Sequence, residues 1–164
     1  MPSMSAYLKA AGLGAIVAVV GIAAYLQFGD RSPQISDEDL PVVTVYKSPT
    51  CQCCAEWMTH LEENGFQVES TNMADMQQVK SRFNVPRELS ACHTAVVGGY
   101  VVEGHVPADD IKQALVNHPQ VAGLTVPGMP VGSPGMERGD RQDPYNVLTF
   151  TAQGQTTIFN QYHQ

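Results

Sequence analysis

Positive charge is scarce in this sequence. Nine Lys and Arg stand against sixteen Asp and Glu in 164 residues, a formal net charge of −7, and the cations are spread along the chain. Nucleic-acid binding draws on clustered Lys and Arg to neutralise phosphates, so a nucleic-acid partner is excluded. Cysteine is scarce as well. Four residues permit two disulfides, but three of them lie in Cys51-Gln52-Cys53-Cys54 and the fourth, Cys92, stands beside His93. Adjacent cysteines rarely bridge each other, so a plain stapling framework is awkward. No internal repeat is present, and 43 % hydrophobic content suits one ordinary domain plus a tail or anchor.

Charge is missing altogether from Ala10 to Leu26, an apolar run that follows Lys9 and precedes Asp30 and Arg31. Its length lies between a signal-peptide core and the roughly 20 residues of a spanning helix. The small-residue pattern favoured by signal peptidase is poor around Ala23-Ala24. The expectation is an uncleaved membrane segment over 1–30, with a cleaved signal as the alternative. Positive charge on the N-terminal side keeps that end cytoplasmic and places the remainder on the periplasmic side, where thiols oxidise unless a metal or partner protects them. Residues 31–41 are polar and acidic with two prolines, as expected of a linker.

From Pro41 onward the patterns alternate between strand and helix. Val42 to Lys47 is a β-branched run, and Ser48-Pro49-Thr50 turns it directly into the cysteines. Trp57, Met58 and Leu61 recur at helical spacing until Gly65 stops the segment, which puts the cysteines at a helix N-terminus. Phe66 to Ser70 predicts a second strand, Met73 to Phe83 a second helix, and Thr94 to Val97 a third strand. Gly98-Gly99 turns the chain into a returning strand over Tyr100–Val106, and Pro107 to Asn117 predicts a third helix. This order is that of an α/β, thioredoxin-like domain over 42–118, a mixed sheet flanked by helices. Residues 119–164 form an extension, with a Gly/Pro/Met-rich loop over 127–137 and a closing hairpin, Asn146–Thr151 with Thr156–Asn160.

A helix N-terminus stabilises thiolate, the form that binds metals and attacks disulfides. Cys51 and Cys54 have the C-x-x-C spacing of a disulfide oxidoreductase. Cys53 disturbs that reading, because a third thiol competes in exchange yet is useful for holding soft ions. In thioredoxin-like folds the loop entering the third strand lies against the motif and usually carries a cis-proline. Here that loop is Ser90-Ala91-Cys92-His93, and the nearest proline, Pro86, comes six residues before Cys92. Cys92 and His93 are therefore expected beside Cys51 and Cys54. The thioethers of Met129 and Met136 suit Cu(I) better than zinc, so copper is preferred, with structural zinc and thiol exchange as alternatives. His105, on the returning strand, points to the site edge or to solvent. His60 is expected to face solvent, Trp57 and Met58 to pack in the core, although Met58 is also placed to line the site, and His118 and His163 carry no signal.

With Cys51-Gln52-Cys53-Cys54, Cys92-His93-Thr94-Ala95-Val96-Val97, Gly104-His105-Val106-Pro107 and the Val126-Pro127-Gly128-Met129-Pro130 to Met136-Glu137 loop in view, the chain resembles the CopG-like copper-resistance proteins, from about Val42 to Phe159. The resemblance implies an exported thioredoxin-like domain whose C-terminal extension helps to bind copper, interconversion of Cu(I) and Cu(II) before efflux, and cysteine sulfurs bridging several copper ions. On that reading Cys51, Cys53, Cys54 and Cys92 are thiolate ligands, supported by Met136, Met129, His93 and His105, and Cys51 and Cys54 carry the redox chemistry. A monomer facing a copper efflux system is expected. A non-redox Cu(I) chaperone or storage module keeps the same ligands.

Overall fold

The structure is a computed structural model that describes Ile35–Gln164. The expected membrane segment lies outside the described residues. Within them, no helix is long and apolar enough to cross a membrane.

Alternation in the first strand, β1 (Val43–Lys47), puts Val43 and Val45 at zero exposure. The first helix, α1 (Gln52–Glu63), buries Cys54, Trp57 and Leu61 at helical spacing. Gly65, at φ +87°, ends it: the Gly65 N–H donates to Glu62 O and the Phe66 N–H to Leu61 O, satisfying the last carbonyls of the helix. Strand β2 (Val68–Asn72) runs parallel to β1. Helix α2 (Met76–Arg82) is shorter than the sequence pattern predicts, because the Asp75 side chain accepts from the Gln77 and Gln78 N–H groups and sets the helix start there. Strands β3 (Thr94–Val97) and β4 (Tyr100–Glu103) form the expected hairpin about Gly98-Gly99, both at positive φ, and α3 (Ala108–Asn117) follows.

The extension is not a separate layer. Strand β5 (Gly123–Thr125), which the sequence reading omits, pairs parallel with β4 and carries the antiparallel hairpin β6 (Tyr145–Phe150) and β7 (Thr156–Tyr162) into the same sheet. The result is a seven-stranded mixed sheet of order β2-β1-β3-β4-β5-β6-β7. Three residues carry too little periodicity to announce a strand; β5 exists because β4 offers it a ladder. The main core joins α1 and α3 to one face of the sheet through Trp57, Leu61, Ile111, Val102 and Leu124, and a smaller cluster of Val85, Leu89, Val101 and Phe150 lies apart from it.

The compact unit also begins before Pro41. Ile35 and Leu40 pack partly buried against the main core, and Asp37 pairs with Lys112 at 2.9 Å. The last residues of the expected linker are thus docked.

Strand directions decide where the site is. The C-terminal ends of β1, β4 and β5 and the N-terminal end of β3 share one edge of the sheet, since β3 is antiparallel to β1 and β4. The cysteine motif, the Cys92-His93 loop, His105 and the start of the Gly/Pro-rich loop all leave from that edge.

Candidate metal centre

Cys51 occupies the cap position of α1, and Cys53 and Cys54 lie in its first turn. Cys51 and Cys54 are joined by a disulfide, Cα to Cα 5.4 Å, while Cys53 and Cys92 are free. The free thiols link the rest. Cys53 Sγ lies 3.6 Å from Cys51 Sγ and 4.0 Å from Cys92 Sγ. Cys92 Sγ lies 3.2 Å from His93 Nδ1 and 3.0 Å from His105 Nε2. Cys92 therefore belongs to two donor groups, the four cysteines and the trio Cys92, His93 and His105, each with its ligand atoms within 4.8 Å of one another.

His105 is the main correction to the sequence reading. It is neither on a strand nor at the surface: β4 ends at Glu103, and His105 follows in a turn with zero exposure. Gly104 makes that turn, at φ +75°, where an added Cβ would lie 2.6 Å from Ala91 Cβ and 2.7 Å from Val126 O. His105 Nδ1 is 2.8 Å from Pro134 O. A carbonyl only accepts, so Nδ1 carries the proton and Nε2, facing Cys92, keeps its lone pair. A main-chain carbonyl of the extension thus sets the tautomer of a ligand-type histidine.

His93 is also fully buried, tilted at 36° against the Trp57 ring with centroids 4.3 Å apart, and its Nε2 has no hydrogen-bond partner. Burial, then His105 and Lys80, hold its pKa well below the ordinary histidine value, and burial likewise lowers that of His105. Both rings are neutral near pH 7, the form that binds metals. Burial, with the Cys53 thiol beside it, pushes the Cys92 thiol up to about 12. A metal ion must displace that proton to bind. Neutral imidazoles, convergent thiols and an unpartnered buried ring nitrogen fit a soft or borderline ion such as copper.

The Gly/Pro-rich loop reaches the motif through its backbone. An added Cβ at Gly135, itself at φ +78°, would lie 2.6 Å from Trp57 N and 2.9 Å from Cys53 O. Gly135→Ala is therefore expected to cost about 1–3 kcal/mol and to shift Pro134 off His105. Thermal unfolding and the ring-proton NMR signal of His105 check the two effects.

The two methionines of this loop differ. Met136, next to Gly135, is partly buried, whereas Met129 is 53 % exposed. Met58 packs partly buried against the main core.

His60 is half-buried, and one of its ring nitrogens is turned inward. Its Nε2 accepts from the Ala108 N–H at 3.1 Å, satisfying an otherwise orphan donor at the start of α3. Burial lowers its pKa against the opposing charges of Glu137, Asp109 and Glu63. The folded state thus favours neutral His60, and its contribution to stability is whole above the unfolded value of about 6.5 and is lost as pH falls below it. His60→Gln keeps an acceptor without a titrating proton, so denaturant titrations of the metal-free variant between about pH 7 and pH 5 should show a shallower loss of stability than the parent.

A protein family described only as of unknown function, DUF411, matches residues 89–136, which include Cys92, His93, His105 and all but the last residue of the loop. Two solved structures of copper resistance protein copG match more of the chain. Form 2 is 49 % identical with a TM-score of 0.71, and form 1 is 50 % identical with a TM-score of 0.70; each match covers 74 % of this chain and 98 % of the solved one. The chain belongs to the CopG-like copper-resistance family. No curated protein sequence matches it.

For this CopG-like chain, the structure brings together Cys51, Cys53, Cys54, Cys92, His93 and His105 of the residues singled out from sequence. Sequence reasoning missed Glu103, the Pro134 carbonyl and Gly135. The first hides in a strand pattern, the second is backbone, and the third carries only the signal common to every Pro-Gly pair in a turn.

Proposed function

We propose that this chain handles copper on the periplasmic side of the inner membrane, interconverting Cu(I) and Cu(II) at a thiolate and imidazole centre before efflux. The observation that carries the proposal is the position of Cys92, whose sulfur joins the cysteine motif to two buried neutral histidines. The copG relatives are copper resistance proteins by name, which favours copper over structural zinc. The order β2-β1-β3-β4, with a C-x-x-C motif opening α1, supports the thioredoxin-like reading.

The Cys51–Cys54 disulfide favours a redox role over mere storage, which has no use for oxidising its own ligands. Electrons balance simply. The reduced pair gives one electron to each of two Cu(II) ions, the S–S bond forms and the two thiol protons leave; two Cu(I) ions and two protons reverse the step. Cys92, common to both donor groups, supports the bridging of more than one copper ion by sulfur. Residues 1–30 would hold the domain at the membrane, a placement that protease accessibility in spheroplasts tests.

Anaerobic purification with metal analysis, followed by stopped-flow mixing of reduced protein with Cu(II), tests the function. The expected result is Cu(I) formation with loss of two titratable thiols per two ions. Zinc in place of copper removes the proposal. Cu(I) binding without Cu(II) reduction leaves the chaperone, and metal-free reduction of a test disulfide that tolerates Cys53→Ser leaves thiol exchange.

A further inference from the structure

Glu103 is fully buried at the last position of β4, opposite Thr94 in the ladder. Its Oε1 accepts from the Ala91 N–H at 2.7 Å and its Oε2 from the Thr94 hydroxyl at 2.7 Å. Those two residues flank Cys92-His93 on either side. Lys80, from α2 and 4 % exposed, pairs with Glu103 Oε1 and donates to Thr94 Oγ1 at 3.2 Å. The main chain of Glu103 runs straight into Gly104, whose N–H donates to His93 O at 3.1 Å, and then into His105. Its carbonyl accepts from the Val126 N–H at 3.1 Å, which ties it to the strand that launches the extension loop.

We propose that Glu103 is a positioning residue that holds the Cys92-His93 segment and the His105 turn in mutual register, with Lys80 as its counter-ion, so that the Cys92 sulfur and the two imidazoles stay within hydrogen-bonding distance. The inference rests on the copper reading for its consequence but on hydrogen bonds for its geometry.

A buried ion pair is a poor way to gain stability. Apolar side chains of similar volume do as well or better, because two charges need not be taken out of water. What apolar groups lack is acceptance of a backbone N–H and a hydroxyl at once, from the two ends of one short loop. Residues that orient metal ligands in this manner are worth about 10–100-fold in affinity when changed.

The double variant Lys80→Met/Glu103→Leu separates positioning from stability, since it leaves no unpaired buried charge. Its thermal midpoint is expected close to that of the parent, because removal of two desolvated charges offsets the loss of an acceptor for the Ala91 N–H and the Thr94 hydroxyl. Exchange of the Ala91 amide in metal-free reduced protein is expected to rise at least about tenfold, as loss of a charge-assisted hydrogen bond requires. Cu(I) affinity is expected to fall about 10–100-fold, with a changed thiolate-to-copper absorption band. Parental affinity and spectrum in a folded variant overturn the proposal, whatever the amide does. Thr94→Val, which removes one tether and keeps the ion pair, gives an independent reading if the double variant does not fold: a smaller loss in the same direction supports the proposal, and no change overturns it. Should the parent itself bind no copper, the copper reading falls alone, and the Ala91 amide still decides whether Glu103 clamps the loop.

Discussion

Cys92→Ser is expected to strip copper from the whole centre, not from one of its halves. Cys53 reaches His93 and His105 only through Cys92, whose sulfur lies 4.0 Å from Cys53 and 3.0 Å from His105. Serine keeps the size and loses the soft donor, so the cysteine motif and the histidines become separate, incomplete sites. The loss should exceed the ~100-fold that altering even a supporting residue costs at metal sites. Cys53→Ser is expected to lose copper too, but to leave Cys92, His93 and His105 as a residual weak site. Competition against a Cu(I) chelator, run on reduced anaerobic protein, ranks the variants. Equal losses from both would show that Cys92 is no more than one ligand among four. The fold gives the serine variant little reason to unfold, because Cys92 is partly exposed and lies outside both apolar clusters.

Trp57→Ala should produce the largest loss of stability among single changes at this edge of the sheet, about 3–5 kcal/mol. Trp57 heads the fully buried side chains, belongs to the main core and donates its indole N–H to Val106 O at 2.8 Å. Against a typical domain stability of about 5–15 kcal/mol, that loss alone brings a protein near its limit. The effect reaches the centre by contact. The indole packs at a tilt against His93, and Val106 directly follows His105, so a cavity here frees one imidazole and loosens the turn that carries the other. Trp57→Phe separates the two roles: the ring still fills most of the space, and Val106 O is left without its donor at a cost of about 1–3 kcal/mol. Chemical denaturation of the metal-free proteins measures both. A copper affinity in the folded Trp57→Phe variant close to the parent's would assign ligand placement to the ring contact, and not to the hydrogen bond.

Much of the centre was legible as residue types in a row. Cys51, Cys53 and Cys54 after a β-branched strand, Gly65 at the end of a helical period, and Cys92-His93 where a proline usually stands are local signals. They depend on spacings of two, three and four residues. His105 was misplaced by the same logic. The alternating pattern of Tyr100–Val106 extends β4 by three residues, but Gly104 breaks the strand because only a glycine fits between Ala91 and the Val126 carbonyl. That crowding comes from the residue that follows β5 and from the loop before β3, neither of which is near Gly104 in the chain.

The order of elements from β1 to α3 and the place of the cysteines at the start of α1 are properties that the amino-acid sequence determined by itself, because turns and periodicities are written within a dozen residues; the docking of Cys92-His93 opposite them followed from the fold that this order implies. Only the tertiary structure decided that β5 joins the extension to the sheet, that Pro134 sets the tautomer of His105, that Glu103 grips both ends of the Cys92-His93 loop, and that Cys51 pairs with Cys54 while Cys53 stays free. Each of these is a contact between groups distant in the chain, or a choice among neighbouring sulfurs. Such contacts are selected by how strands pair and which polar groups burial leaves without water, and local pattern carries no record of either.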